Sequence, residues 1–383
     1  MIVDLTDDEA RRALPEKWGA VDPDVIPAWV AEMDYAIAPA ITEALTRAVS
    51  DGVVGYPSFD TSGELGTALA GFAQRRYGMD VVPDQVIPVV DVTSGVRLAL
   101  DVLSEPGPLV LPMPAYSPHL DMAEICGRER MDLVVEPGAT RAELDLDQLD
   151  RLFAKGARTL LLTQPHNPWG RVFSRAELEG VRDVVTKHGA RVISDEIHAP
   201  LVLPGAEHVS YLDIDGTADH AVAVVSTSKA FNTAGLRCAQ IITNQEGTRD
   251  RLVNVPGARN DSWSSLGVVA AVAAYTEGDT WLDALVNRLD EQRALLKALL
   301  DEHFPAARMR PLEATYLAWI DLRDYGHDDP AAQALAKGRV RVAPGHDYQP
   351  GLTGHIRLNI ATSPDRLCEI VRRLAVALGP VSG

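Results

Sequence analysis

The sequence predicts an α/β protein. A large domain carries a mostly parallel sheet of about seven strands sandwiched by helices, and a smaller α+β domain packs beside it. Two observations lead there. From Gln85 to Asn244 short apolar runs alternate with helical patterns, as strands alternate with crossover helices in a parallel sheet. From Thr280 that alternation stops, and one long helical pattern precedes strand-like segments and a final helix.

The strand candidates in the first region are QVIPVV (85–90), PLVLP (108–112), DLVVE (132–136), TLLLTQ (159–164), RVISDE (191–196), AVAVVS (221–226) and QIITN (240–244). Several are unbroken runs of Val, Leu and Ile, the pattern of strands covered on both faces. Between them, SRAE places Ser174 and Glu177 at capping-box spacing ahead of an amphipathic run that ends near His188. The stretch DVTSGVRLAL (91–100) reads as a loop opening a helix. In the second region a helix is expected from Thr280 to about Phe304, and strands in YLAWIDL (316–322) and HIRLNIA (355–361). A last helix opens at Ser363-Pro364, a cap followed by proline at the first helical position, with Leu367, Ile370, Val371, Leu374 and Leu378 in helical period. The proline-rich first 45 residues are expected to wrap back onto either domain. The expected division is 46–281 for the large domain, and 1–45 with 282–383 for the small one.

Composition narrows the function. Apolar residues form 46% of the 383 and charged residues 23%, ordinary for a globular chain. A net charge of −18 argues against nucleic acid and anionic membranes as partners. Cys126, Cys238 and Cys368 lie far apart and form no CxxC pair, so neither a zinc knuckle nor a disulfide framework follows. The opening MIVDLTDDEA is acidic where a signal peptide would be basic, and no apolar stretch is long enough for a bilayer. The expectation is a cytoplasmic protein acting on a small molecule.

In open α/β sheets ligands sit beyond the carboxyl ends of the strands. Three such ends carry reactive groups: Asn167 after TLLLTQ, Asp195 in RVISDE, and Ser226, Ser228 and Lys229 after AVAVV. Each alone has a structural alternative. Asn167 before proline suits a turn, Asp195 could cap a helix, and a loop lysine is usually a solvated charge. Their convergence favours a site. DEIH (195–198) lacks the partner ligands of a metal centre, and no metal is expected. No GxGxxG, GxSxG or P-loop is present. The amides near Val92 and Thr93 could bind one phosphate.

An amine, a phosphate cup, a carboxylate and an aromatic side chain are what pyridoxal phosphate requires. PAYSPH, PHNPWGR, SDEIH, STSKAFNTAGLR, EATYLAWID and RLNIATS occur in the order found in class I/II aminotransferase-type enzymes of fold type I, and the chain resembles that family over essentially its whole length. The resemblance implies that Lys229 binds the cofactor's aldehyde and that Asp195 pairs with the pyridine nitrogen. It implies that Asn167 and His198 hydrogen-bond the phenolic oxygen, with Tyr116 stacked on the ring. Ser226, Ser228, Arg237 and the amides of Val92 and Thr93 would hold the phosphate. Arg357 would grip the substrate carboxylate, and Tyr56 would reach the cofactor of a partner subunit in a homodimer.

WVAEMDY (29–35), VVGYPSFD (53–60) and DEIH further resemble the cystathionine β-lyase-like C–S lyases of the MalY/PatB type, with His198 where ordinary aminotransferases have tyrosine. This implies α,β-elimination from an S-substituted L-cysteine, with transamination on the same scaffold as the alternative. Three positions depart from the family pattern. Trp169 replaces a small residue and is expected to reshape the pocket. Asp91 stands where glycine is typical of the phosphate loop, and Gln164 replaces an asparagine. Burial near Arg237 is expected to lower the pKa of Lys229.

Overall fold

The computed structural model describes residues 1–58, 63–135 and 140–380. Its strands are β1 (Ile26–Ala28), β2 (Val86–Val89), β3 (Leu109–Met113), β4 (Arg130–Val134), β5 (Thr159–Thr163), β6 (Arg191–Asp195), β7 (Ala221–Val225), β8 (Ala239–Ile242), β9 (Leu317–Asp321), β10 (Val340–Pro344) and β11 (His355–Asn359). A seven-stranded sheet has the order β2-β8-β7-β6-β5-β3-β4, and a four-stranded sheet the order β1-β10-β11-β9. In the large sheet β8 runs against both neighbours, β2 and β7, and the remaining pairings are parallel. All seven apolar runs are strands, although Glu136, at the end of DLVVE, lies outside the described residues.

Their continuity has the anticipated cause. Every residue of β3 and β5 is buried, because helices cover both faces. Each buried Leu or Val contributes roughly 1.5–3 kcal/mol relative to exposure. The helix Val92–Leu103 lies close against this sheet. A Cβ on Gly95 would come within 2.9 Å of Val224 and 3.0 Å of Val89, so glycine is retained despite its low helix propensity. That close approach fixes the N-terminus of the helix at the carboxyl ends of the strands.

Helix ends follow their local chemistry. Ser174 and Glu177 form the expected capping box, and Gly189 ends that helix at His188 in the left-handed conformation. The long helix spans Asp279–His303, and the last runs Pro364–Leu378 with Ser363 as its cap. All five apolar positions anticipated on the last helix are buried.

The N-terminal segment joins the smaller sheet, where β1 pairs parallel with β10. Both strands went unrecognised in the sequence, β1 because it has only three residues. The segment continues as an irregular strap held from several sides. Asn359 Nδ2 donates to the carbonyls of Val30 and Glu32, and Asn232 bonds both the amide and the carbonyl of Met33. Beneath it Lys17 and Asp34 form an ion pair at 2.8 Å with both side chains 1% exposed. Trp18 Nε1 donates to the same carboxylate at 2.7 Å. No helix among the described residues is long and apolar enough to cross a membrane.

Candidate active site

The carboxyl ends of β3, β5, β6 and β7 open into a cavity of about 350 Å³, closed on the far side by the strap and the small sheet. Val92, Thr93, Tyr116, Asn167, Asp195, His198, Ser226, Ser228, Lys229, Arg237 and Arg357 all line it. Residues from widely separated parts of the chain thus meet: most sit at or just past a strand end or at a helix start, Arg237 ends a short helical turn, and Arg357 reaches in from the middle of β11. The exception is Tyr56, which is 93% exposed and does not line the cavity of its own chain. Phe59 and Asp60 of the same motif lie outside the described residues.

Lys229 is partly buried and its Nζ donates to the Ala31 carbonyl at 3.1 Å. Desolvation, and then the nearby Arg357 guanidinium, lower its pKa to about 8. The second cause corrects the expectation of Arg237, whose side chain is 59% exposed and paired with Asp91. Arg237 itself has φ 53 and ψ 68, a left-handed backbone rarely adopted by a side-chain-bearing residue. Its carbonyl accepts from the Ser264 amide, which helps hold that conformation.

Arg357, 4% exposed, is the other cation at the centre. Its Nη2 donates to the Trp29 carbonyl at 2.7 Å and its Nη1 to Asn167 Oδ1 at 3.2 Å, with the guanidinium 4.8 Å from the Tyr348 ring. Nε is buried without a hydrogen-bond partner, and no carboxylate among the described residues pairs with this arginine. A buried guanidinium compensated only by neutral acceptors is a strong site for an incoming anion.

Asp195, at the end of β6, has its carboxyl pushed up to about 7 by burial, with an opposing hydrogen bond from the Ile197 amide. His119 Nε2 lies 3.5 Å from its other oxygen. That histidine is fully buried, burial lowers its pKa to about 4, and its ring meets Tyr116 edge-on at 5.3 Å. His198 is lowered to about 3, by burial first and then by Lys229 and Arg357. It is therefore a neutral imidazole, and its Nδ1 is buried without a partner.

The anion cup is more self-contained than the motifs suggest. Ser226 Oγ donates to the Cys238 carbonyl and accepts from the Ser228 amide, so its hydroxyl proton is already committed within the chain. Asp91 caps the helix Val92–Leu103 by accepting from the Ser94 amide.

Two departures from the family pattern resolve as structural. Trp169 does not line the cavity, contrary to expectation. It is buried and stacked on His166 at 3.8 Å. The Gln164 side chain holds the Phe173 amide and carbonyl within the core.

Several residues in or directly behind the cavity carry no signal in the sequence. His119 lies inside the motif PAYSPH, but only its contact with Asp195 reveals it. Trp29, Val30, Ala31, Asp347 and Tyr348 line the cavity from the strap and the small sheet, and no periodicity marks them. Among the described residues no cluster of metal-binding side chains occurs.

Comparison with known proteins gives a consistent result. The sequence model of the aminotransferase class I and II family matches residues 24–374. A cystathionine beta-lyase of Corynebacterium glutamicum is 36% identical over 370 residues, covering 96% of this chain and 97% of that protein. The cystathionine beta-lyase PatB of Bacillus subtilis is 34% identical over 368 residues, covering 93% of each. The crystal structure of cystalysin from Treponema denticola, which contains a pyridoxal 5'-phosphate cofactor, superposes with a TM-score of 0.91 at 28% identity and 99% coverage of both chains.

Proposed function

The chain belongs to the aminotransferase class I and II family, and on that premise we propose that it is a pyridoxal-phosphate-dependent carbon–sulfur β-lyase. Its substrate is L-cystathionine or another S-substituted L-cysteine, and its products are a thiol, pyruvate and ammonia. One observation carries the reading: a single cavity combines an amine of lowered pKa, a buried carboxyl and a buried arginine without an anionic partner.

The donor set fits the cofactor. Lys229 is the amine for its aldehyde, and Tyr116 offers a ring for stacking. Asn167 spends its oxygen on Arg357, which leaves its amide NH₂ as a donor toward the phenolic oxygen. His198, neutral and with an unpartnered ring nitrogen, would do the same. Asp195 suits the ring nitrogen because a carboxylate buried this deeply is stabilised most by a proton-bearing cation. The amides of Val92 and Thr93, the Ser228 hydroxyl and Arg237 would take the phosphate, with Ser226 supporting Ser228 from behind.

When bound, the cofactor supplies an aldehyde for the substrate amine and an electron-withdrawing ring conjugated to Cα. Arg357 then fixes the substrate carboxylate, and so the direction of the Cα–H bond. Lys229, whose lowered pKa of about 8 makes its neutral form accessible near physiological pH, accepts that proton as the general base. Loss of the β-thiolate, which is protonated to the thiol, completes the elimination; the released 2-aminoacrylate tautomerises and is hydrolysed by water to pyruvate and ammonia. The strap closes the cavity against water and holds Lys229 through the Ala31 carbonyl.

Elimination is preferred over transamination because the two relatives from Corynebacterium and Bacillus named above are cystathionine beta-lyases and because the motif holding His198 resembles that subgroup. The discriminating assay incubates the enzyme with cystathionine or a cysteine conjugate and measures free thiol and pyruvate without added keto acid. A strict keto-acid requirement would establish the aminotransferase reading instead.

The exposed Tyr56 supports a homodimer in which it reaches the partner's cofactor. The two sheets support a division into units of 46–281 and of 1–45 with 282–383. The charge of −18 supports a role without a nucleic-acid or anionic-membrane partner, and the acidic opening MIVDLTDDEA supports a cytoplasmic location.

A further inference from the structure

The phosphate end of the cavity contains a carboxylate of the chain's own. Asp91 Oδ1 accepts from the Ser94 amide at 2.8 Å, at the first turn of the helix Val92–Leu103. Its Oδ2 accepts from Arg237 Nη1 at 2.7 Å. One side chain thus engages both devices that would bind a phosphate here, the amino end of the helix and the guanidinium. Asp91, Val92, Thr93 and Arg237 all line the same cavity. Among the described residues Arg237 has no other ion pair.

We propose that Asp91 competes with the cofactor's phosphate for Arg237 and for the helix terminus, and thereby holds the affinity for pyridoxal phosphate below what the cup could reach. The inference rests on the pyridoxal-phosphate reading and deepens it. A phosphate dianion entering this cup meets an arginine whose charge is already neutralised, beside a carboxylate of its own sign. Like charges brought into one cup repel, and the partial exposure of both side chains moderates that repulsion without removing it. The left-handed backbone of Arg237 and the bond from Ser264 to its carbonyl fix the base of its side chain beside Asp91. The carboxylate cannot swing away without uncapping the helix.

Two substitutions separate charge from capping. Asp91→Asn and Asp91→Ser both keep an N-cap acceptor and remove the negative charge. Cofactor-free wild type and variants are titrated with pyridoxal phosphate and, in parallel, with pyridoxal, which has the aldehyde but no phosphate. Binding is read from the absorbance change and from the shift in Tm, without any turnover.

The expected result is at least a fivefold lower Kd for pyridoxal phosphate in both variants, a smaller dependence of that gain at high salt, and an unchanged Kd for pyridoxal. An equal gain for both ligands would place the effect away from the phosphate and overturn the proposal. So would an unchanged or weaker Kd for pyridoxal phosphate, which would make Asp91 a support for Arg237 while leaving the cofactor reading intact. Absence of saturable binding in the wild type would overturn the cofactor reading and this inference with it.

Discussion

Lys229 Nζ and the Ala31 carbonyl lie 3.1 Å apart, across 198 residues of sequence. The contact joins the loop after β7 to the strap that follows β1, so the amine at the centre of the cavity is held by the segment that roofs it. Trp29 treats Arg357 in the same way through its carbonyl. The strap's backbone therefore orients both cations of the site.

Lys229→Ala should abolish the absorbance band that pyridoxal phosphate acquires on binding to the wild-type protein. An unchanged spectrum in that variant would falsify the assignment. The lowered pKa adds a pH signature. With a pKa of about 8 instead of 10.5, roughly one amine in ten is neutral at pH 7. Cofactor uptake should accelerate with pH up to about 8 and level off above it.

Arg357→Ala should reduce kcat/KM for an S-substituted cysteine by roughly 100-fold, the order expected for losing charge-assisted hydrogen bonds in a dry site. Arg357→Lys should recover little, since an ammonium cannot reproduce the paired donors. Steady-state kinetics decide it, and a loss of less than threefold in the alanine variant would exclude this arginine as the carboxylate site.

Asp195→Asn should separate stability from function. In the cofactor-free wild type the carboxyl titrates near 7, whereas in the unfolded chain it titrates near 3.8. Between those values the native state binds the extra proton, so stability is lost as pH rises through that window. The cofactor-free asparagine variant should therefore be more stable than wild type at pH 8, by no more than about 4 kcal/mol, and equally stable near pH 4. It should also be nearly inactive. Thermal melts across pH test the first part, and a gap that grows toward acid pH would contradict it.

Lys17→Met should destabilise the protein by up to roughly 3–5 kcal/mol, because it removes the nearest cation from the buried Asp34 carboxylate and leaves it only Arg366 at 3.5 Å and the Trp18 indole. Adding Asp34→Asn should restore part of the loss. A denaturant melt of the single and double variants measures the coupling, and simple additivity would show that the pair is not acting as a unit.

Sedimentation should reveal a dimer. Tyr56→Phe should weaken pyridoxal-phosphate binding severalfold without lowering the Tm of the cofactor-free protein, since the side chain is exposed on its own subunit. A monomer with unaltered cofactor affinity in this variant would remove the cross-subunit role.

The large sheet and most of the site were legible because their signals are local. Continuous apolar runs mark strands buried on both faces, and a polar residue at the end of each marks where a ligand can sit. Asn167, Asp195 and Lys229 were placed in this way, and capping chemistry at Ser174 and Ser363 located two helices. Residues 29–35 carry a family resemblance, yet no local pattern in them specifies the strap. Its course depends on bonds from Asn232 and Asn359, residues distant in sequence.

Sequence by itself determined the fold class, through periodicity, and the resemblance of its motifs pointed to the cofactor chemistry and to Lys229 as the lysine that would bind it. Only the tertiary structure decided what each group faces. It assigned the lowered pKa of Lys229 to burial and Arg357 rather than to Arg237, moved Trp169 out of the cavity, and set Asp91 against Arg237. Desolvation and charge–charge energies are functions of distance and burial, which emerge only when segments far apart in the chain pack together.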